Sequence, residues 1–205
     1  MRGLYAITSA AICADDARLL SAVGAALAGG ARLLQYRDKL ADRGCRERRA
    51  RALLQRCRAH GVPLIVNDDL ELALRIGADG VHLGQRDAPL AQARARLGAD
   101  ALLGVSCGDS LELARAAQDL GASYVAFGRF FASRTKPDAA PARLATLRAA
   151  RAELRIPCCA IGGITPARAP ELIAAGADLI AAVDGVFGAT DIRAAVESYV
   201  RAFAA

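Results

Sequence analysis

Two aspartates follow two short apolar segments of the chain. Asp68 comes directly after the segment 63–67, and Asp87 comes shortly after the segment 80–83. If both segments are parallel strands joined by a crossover, their carboxylates emerge at the same edge of a sheet. Such a pair suits Mg²⁺, a hard cation that takes oxygen ligands and shares them with phosphates. Capping of the following helix is the alternative, which we favour for Asp69 and leave open for Asp68.

A basic run lies at the end of the next segment upstream. Gln35, Arg37 and Lys39 alternate along it and should project to the same side of a strand. Two cations and an amide in one place suit a polyanion, because Arg offers forked contacts and Lys a point charge. A basic loop facing water is an equally good interpretation of this segment alone. Asp38 lies between two of these positions, so its side chain should project to the opposite side and order the loop.

Other polar residues stand at comparable places. His82 lies inside an apolar segment, where a hydrogen-bonded core histidine is the more common arrangement and a pocket wall the alternative. Ser106 ends a further apolar segment, and Cys107 beside it has no neighbour that would activate a thiol. The longest loop carries two hydroxyls and two cations, which suit an anionic ligand held under a lid. These loop residues are Ser133, Arg134, Thr135 and Lys136.

The elements that must position these residues alternate regularly between strand and helix. The predicted strands are 4–8, 31–37, 63–67, 81–83, 101–106, 124–127, 157–161 and 179–183. The first predicted helix begins at Asp15 or Asp16. The other predicted helices span 46–60, 70–76, 88–97, 110–120, 141–154, 166–175 and 192–203. Gly-Ala pairs before four of the strands mark the ends of the preceding helices. Eight such units predict an α/β fold, a single (β/α)₈ TIM barrel. A doubly wound open sheet is the alternative, but no GxGxxG follows the first strand.

The barrel interpretation gives the last two strand ends a function. Barrel enzymes commonly bind phosphate with the loops after strands 7 and 8, where backbone N–H groups converge. Gly163 follows the seventh predicted strand, and a residue without a side chain permits close approach of the backbone. Val183 and Asp184 follow the eighth. A glycine turn with no ligand explains the first of these motifs equally well when it is taken alone.

Composition narrows the class of protein. The 205 residues fit one domain, 1–205, and with 54% hydrophobic and 23% charged residues they should form a large core. The net charge of +6 is spread over Arg-rich helices, and aromatic residues make up only 4%, so platforms for nucleic-acid bases are scarce. Six cysteines without CxxC spacing predict free thiols in a reducing compartment. No signal peptide and no apolar run of about 20 residues is visible, so we expect a cytoplasmic protein without a membrane partner.

Taken in chain order, the motifs resemble those of the thiamine phosphate synthase family. The resemblance spans nearly the whole chain. It is carried by Gln35-x-Arg37-x-Lys39, Ile65-Val66-Asn67-Asp68, the segment 78–87, Gly104-Val105-Ser106, Thr135-Lys136 and the segment 160–164. It implies an Mg²⁺-dependent enzyme that joins hydroxymethylpyrimidine diphosphate to hydroxyethylthiazole phosphate. In that family diphosphate leaves first, and the thiazole nitrogen captures the resulting cation.

The resemblance also implies site residues. Asp68 and Asp87 match the metal ligands, while Arg37, Lys39 and Ser106, together with Lys136, form the expected catalytic set. The expected contacts to the pyrimidine diphosphate are Tyr5, Gln35, Tyr36, Arg37, Asp38, Lys39, Asn67, His82, Ser106 and Lys136. The expected contacts to the thiazole phosphate are Ser133, Arg134, Thr135, Gly163, Val183 and Asp184.

Three positions depart from the pattern of the family. Ser133 replaces a frequent Thr, Arg129 stands where Pro is usual, and Asp184 stands where Ser is common. An ionised carboxylate cannot donate to a phosphate, so backbone N–H groups would have to bind it near Asp184.

Two other functions stay open. One is a thiazole tautomerase of the same superfamily, and the other is a non-catalytic regulatory barrel that binds phosphate.

Overall fold

Eight parallel strands close into a barrel in the order in which they occur along the chain. The computed structural model describes residues 1–132 and 140–204. Each strand pairs with its sequence neighbours, and β1 pairs with β8, which closes the ring. The strands are β1 (Gly3–Ile7), β2 (Leu33–Tyr36), β3 (Leu64–Asn67), β4 (Gly80–Leu83), β5 (Leu102–Gly108), β6 (Tyr124–Phe127), β7 (Cys158–Ile161) and β8 (Leu179–Ala182). The predicted (β/α)₈ barrel is confirmed.

Helices follow the strands and cover the outside of the barrel. The helices of the described residues are α1 (Ala10–Cys13), α2 (Asp16–Ala28), α3 (Arg43–Ala59), α4 (Leu70–Ile76), α5 (Leu90–Leu97), α6 (Leu111–Asp119), α7 (Leu144–Glu153), α8 (Ala169–Ala174), α9 (Asp184–Phe187) and α10 (Ile192–Ala202). Within residues 1–132 and 140–204, none of the helices combines the length and apolar character that a membrane span requires. The two four-residue helices, α1 and α9, were not predicted, because one turn carries no hydrophobic periodicity.

Most helix boundaries agree with the caps read from the sequence. Asp69 accepts a hydrogen bond from the Leu72 N–H at 2.8 Å, which confirms it as the cap of α4. The starts predicted for α3 at residue 46, for α7 at residue 141 and for α8 at residue 166 are wrong, each by three residues. The N–H groups of Arg168 and Ala169 both bond to the Thr165 carbonyl, so residues 166–168 form a turn before α8 begins.

The barrel interior is filled by alternate residues of the strands. One apolar cluster lies inside the ring and includes Tyr5, Leu33, Ile65 and Tyr124, whereas the other residues of each strand pack against the helices. Gly80 faces the interior beside β5, where a Cβ would overlap the Leu102 carbonyl. A larger residue at that position would push two adjacent strands apart.

The last helix ties two loops at the carboxyl end of the barrel. On α10, Tyr199 is fully buried, and its hydroxyl donates to the Ile164 carbonyl at 2.7 Å. The same hydroxyl occupies the space that a Cβ on Gly185 would need. One side chain therefore fixes the loops after β7 and β8 relative to each other.

Replacement of Tyr199 by Phe should destabilise the protein by about 1–2 kcal/mol, because the buried Ile164 carbonyl loses its donor. Urea unfolding measures this as a lower midpoint with an unchanged slope. Ser198→Ala is the matched control. Ser198 precedes Tyr199 on α10, is half-buried, and donates to the Ala194 carbonyl of its own helix at the protein surface, so its loss should change stability by less than about 0.5 kcal/mol. Equal midpoints for wild type and Tyr199→Phe would contradict the assignment.

Candidate active site

The barrel brings Asp68 and Asp87 together at the carboxyl end of β3 and β4. Asp68 has a φ of 62°, uncommon for a residue other than glycine, and its N–H donates to the His82 carbonyl at 2.9 Å. The Asp68 carboxylate lies 3.2 Å from the Lys39 ammonium. The Asp87 carboxylate accepts from the Gly84 N–H at 2.6 Å. Two carboxylates and one cation therefore meet at one edge of the mouth.

The electrostatics of the pair favour a bound cation. Burial of the carboxyl group raises the pKa of Asp87, although the residue as a whole is exposed, and the neighbouring Asp68 carboxylate raises it further. The Gly84 N–H and the Lys39 ammonium oppose this rise in pKa. A divalent cation would relieve the repulsion between the carboxylates. Within the described residues no group of three or more His, Cys, Asp or Glu gathers around a point. The donor set fits Mg²⁺, which commonly uses one or two carboxylates and completes its shell with water and substrate phosphates.

A cavity of about 560 Å³ opens beside this pair. The residues that line it include Asp38, Lys39, Asn67 and Asp68, as well as Arg46 of α3 and Gln92 of α5. The cavity therefore provides an open space, bordered by several charged and amide side chains, next to the Asp68 carboxylate.

The basic run after β2 is anchored through its backbone. Thr8, fully buried at the end of β1, accepts from the Arg37 N–H at 2.8 Å and donates to the Arg37 carbonyl at 3.1 Å. Gln35 lies inside the barrel, and Lys39 reaches the carboxylate of Asp68 at the mouth. Arg37 stands between them and is half-buried. The run thus leads from the barrel floor to its rim.

The side chains of Tyr36 and Asp38 are held by contacts around the loop after β2, and their contact with the pyrimidine diphosphate stays a prediction. Tyr36 packs in the layer that faces the helices, and its hydroxyl donates to Asp38 at 3.2 Å. Asp38 accepts from the N–H groups of Leu40 and Ala41 and pairs with Arg49 at 3.0 Å. Burial acts to raise the pKa of Asp38, but these donors outweigh it and hold the pKa below its ordinary value. Odd and even positions face opposite sides of a strand, so Tyr36 lies on the outer side of β2. Asp38 orders the loop and also borders the cavity beside Asp68.

A chain of neutral polar side chains crosses the floor of the mouth. The amide of Gln35 donates to the Tyr5 hydroxyl at 2.6 Å, and the hydroxyls of Tyr5 and Tyr124 lie 2.8 Å apart. Tyr124 in turn lies 3.0 Å from Nδ1 of His82. On the other side of the ring, Nε2 of His82 is 2.8 Å from Oγ of Ser106. Burial raises the pKa of both tyrosines, which keeps their hydroxyls protonated.

Tyr124 joins these residues, yet the sequence analysis treated it only as the start of a strand. A signal was available. Tyrosine is the one polar residue of an apolar strand, and a buried tyrosine hydroxyl usually finds a partner. The identity of that partner could not be read from the sequence, because Tyr5 lies 119 residues away across the barrel.

On the opposite side of the mouth, Gly163 makes a close approach within the protein itself. It has a φ of 61°, and a Cβ there would overlap the Ala132 carbonyl of the loop after β6. That loop is held by a bond from the Phe131 N–H to the Gly162 carbonyl at 2.9 Å. Arg168, which the sequence analysis did not single out, lies over the Phe131 ring at 4.4 Å. The proposed contact between Gly163 and phosphate stays a prediction.

Val183 and Asp184 lie at the start of α9, beside Gly185 and the Tyr199 hydroxyl described above. Both residues are half-buried. Their contact with phosphate also stays a prediction. The predicted loop residues Ser133, Arg134, Thr135 and Lys136 lie outside the described residues.

The chemistry that these groups support is binding and charge stabilisation. Cys107 is buried, and burial raises its thiol pKa to about 12, so it does not supply a thiolate. His82 has both ring nitrogens in hydrogen bonds to hydroxyl groups. The described residues thus offer oxygen ligands and cations at the rim and neutral donors and acceptors on the floor. This arrangement suits a reaction in which an anionic group departs.

Comparison with known proteins identifies the family of the chain. A model of the family described as thiamine monophosphate synthase matches residues 4–186. The thiamine-phosphate synthase of Chromobacterium violaceum is 56% identical over 205 residues, which cover 100% of this chain and 98% of that protein. The thiamine-phosphate synthase of Thioalkalivibrio sulfidiphilus is 55% identical over 194 residues, which cover 95% of this chain and 92% of that protein. A solved thiamine phosphate pyrophosphorylase from Pyrococcus furiosus superposes with a TM-score of 0.88 at 34% identity, covering 98% of this chain and 94% of its own. The chain belongs to the thiamine monophosphate synthase family.

Proposed function

We propose that the protein is a transferase of thiamine biosynthesis that joins hydroxymethylpyrimidine diphosphate to hydroxyethylthiazole phosphate, giving thiamine phosphate and diphosphate. The observation that carries the proposal is the meeting of the Asp68 and Asp87 carboxylates with Lys39 directly above a floor of neutral polar groups. The names of the relatives at 51–56% identity support it.

The floor of the mouth would bind the ring of the first substrate, and the rim would bind its diphosphate. The Gln35 amide oxygen would supply an acceptor inside the barrel for a flat heterocycle, and the rings of Tyr5 and His82, whose polar atoms are bonded within the protein, would line its pocket. Arg37 and Lys39 at the rim suit the charge of the diphosphate. Asn67 at the end of β3 lies in register with His82 and so stands between floor and rim.

Asp68 and Asp87 would hold Mg²⁺ at this rim. When bound, the ion would neutralise charge on the diphosphate and so make it a better leaving group. The two carboxylates themselves are positioned by protein contacts: the backbone of Asp68 is fixed by the His82 carbonyl, and Asp87 is fixed by the Gly84 N–H.

The reaction needs no nucleophile from the protein. The bond between the methylene carbon and the diphosphate oxygen breaks first, and the electron pair leaves with the diphosphate. The thiazole nitrogen then donates its lone pair to the methylene carbon, forming the new C–N bond. The enzyme's task is to stabilise the departing anion and to align the two substrates.

The second substrate would bind on the side of β7 and β8. Gly163, Val183 and Asp184 border this side, and the loop residues Ser133, Arg134 and Thr135 are proposed to contribute. Because Asp184 is acidic, backbone N–H groups would contact the phosphate.

We also propose that residues 1–205 act as one catalytic domain in the cytoplasm. The six free cysteines support a reducing compartment.

A thiazole tautomerase is the alternative within the superfamily. The pairing of Asp68 with Lys39 near Asp87 argues against it, because an isomerase of a monophosphate needs no site for a departing diphosphate.

The decisive experiment supplies both phosphorylated substrates with and without Mg²⁺ and measures thiamine phosphate. We expect product only with both substrates and the metal. Isomerisation of the thiazole alone would favour the tautomerase, and no product with both substrates and Mg²⁺ would overturn the proposal.

Asp87→Asn should raise the Mg²⁺ concentration needed for half-maximal rate by about tenfold, equivalent to about 1.4 kcal/mol, because one charged ligand is lost. High Mg²⁺ should restore much of the rate. Asp100→Asn is the matched control, since it removes the same charge from an exposed residue before β5. An unchanged Mg²⁺ requirement in Asp87→Asn would remove Asp87 from the metal site.

Arg37→Lys should raise the KM for the pyrimidine diphosphate by about tenfold, because Lys keeps the charge but loses the forked contact. The KM for the thiazole phosphate should change by less than about twofold, or about 0.4 kcal/mol. Arg32→Lys, at the opposite end of the same strand, is the control and should leave both constants unchanged. A rise in KM for the thiazole phosphate alone would assign Arg37 to the site of the second substrate.

A further inference from the structure

We propose that Tyr124 is a positioning residue that acts through His82 to turn the hydroxyl proton of Ser106 toward the bound diphosphate. The inference rests on the proposed function, because it takes the diphosphate as the group that accepts this proton. It assigns a task to a tyrosine that neither the charge pattern nor the spacing of the motifs singled out.

The chain of hydrogen bonds has a direction at its inner end. The amide nitrogen of Gln35 is only a donor, and it lies 2.6 Å from the Tyr5 hydroxyl. Tyr5 therefore accepts there and has its own proton to give. The oxygen of Tyr124 lies 2.8 Å away and is the acceptor for that proton. Tyr124 then has its own proton to give to Nδ1 of His82 at 3.0 Å.

The same direction suits the outer end of the chain. A neutral histidine that accepts at Nδ1 carries its proton on Nε2, and Nε2 of His82 lies 2.8 Å from Oγ of Ser106. Ser106 then accepts from His82, and its own proton is available for another acceptor. Diphosphate oxygens only accept hydrogen bonds. A Ser106 hydroxyl that accepts from His82 therefore presents its own proton to the diphosphate. The inner end of the chain thus sets the tautomer of His82, and the proposed diphosphate at the outer end suits the same tautomer.

Packing holds the middle of the chain in register. His82, Gly104 and Tyr124 are aligned on the adjacent strands β4, β5 and β6. A Cβ on Gly104 would overlap both the Tyr124 ring and Nδ1 of His82, so glycine leaves the space in which these two side chains meet. The rings of Tyr5 and Tyr124 are in edge-to-face contact, with centroids 5.7 Å apart and planes at 85°. Burial of both hydroxyls keeps their protons in place.

The tautomer of His82 is measurable in the free protein by nitrogen-15 NMR. The chain contains two histidines, and His60 is exposed, so its signals serve as an internal reference. We expect wild-type His82 to carry its proton on Nε2. Tyr124→Phe should convert this single tautomer into a mixture. Tyr199→Phe, which removes a buried hydroxyl elsewhere, should leave the His82 tautomer unchanged. A proton on Nδ1 in the wild type would mean that the chain runs in the opposite direction and would overturn the inference.

Kinetics with both substrates and Mg²⁺ test whether Tyr124 acts through Ser106. Tyr124→Phe should lower kcat by about tenfold while changing the KM for the pyrimidine diphosphate less, because the lost interaction stabilises the departing anion. In a Ser106→Ala background the same substitution should have no further effect on kcat. Independent, multiplicative effects would overturn the inference. If the wild type forms no thiamine phosphate, the proposed function fails, whereas the NMR result still tests the direction of the chain.

Discussion

The cost of burying charge determines the layout of this mouth. A polar group inside a barrel is tolerated when it is hydrogen-bonded, whereas an unpaired charge is far more expensive. Accordingly the interior holds amide, hydroxyl and imidazole groups, and the charged residues stay at the rim. Lys39 keeps 54% of its side chain exposed and Asp68 keeps 36%. Recognition of a neutral ring and of an anion can therefore be separated by depth within one barrel.

The same constraint explains why the interior polar groups form one chain instead of scattered pairs. Each hydroxyl has one proton to give, so a buried tyrosine next to another tyrosine passes the direction of its hydrogen bond onward. Tyr5 and Tyr124 lie on opposite parts of the ring and connect β2 through β1 to β6 and β4. The closure of the barrel therefore supplies the continuity on which the orientation of Ser106 depends.

Much of this arrangement could be predicted from the sequence, because strand ends in a barrel converge whatever their separation along the chain. That rule placed Asp68 beside Asp87, and helix chemistry identified Asp69 as a cap. Alternation along β2 likewise separates Gln35, which faces the interior, from Tyr36, which packs in the layer that faces the helices. The contact between Tyr5 and Tyr124 could not be predicted, because neither strand contains information about which residue faces it across the interior.

Gly163 illustrates a further limit of inference from residue type. A glycine at a strand end was interpreted as space for a phosphate, and the structure fills that space with the Ala132 carbonyl. The absence of a side chain there is already required by packing between the loops after β6 and β7, with Arg168 stacked on Phe131 as an additional tie. Any contact of Gly163 with a phosphate would have to come from its backbone N–H on the remaining side. The loops after β6 and β7 are therefore tied to each other by contacts within the protein at Phe131 and Ala132.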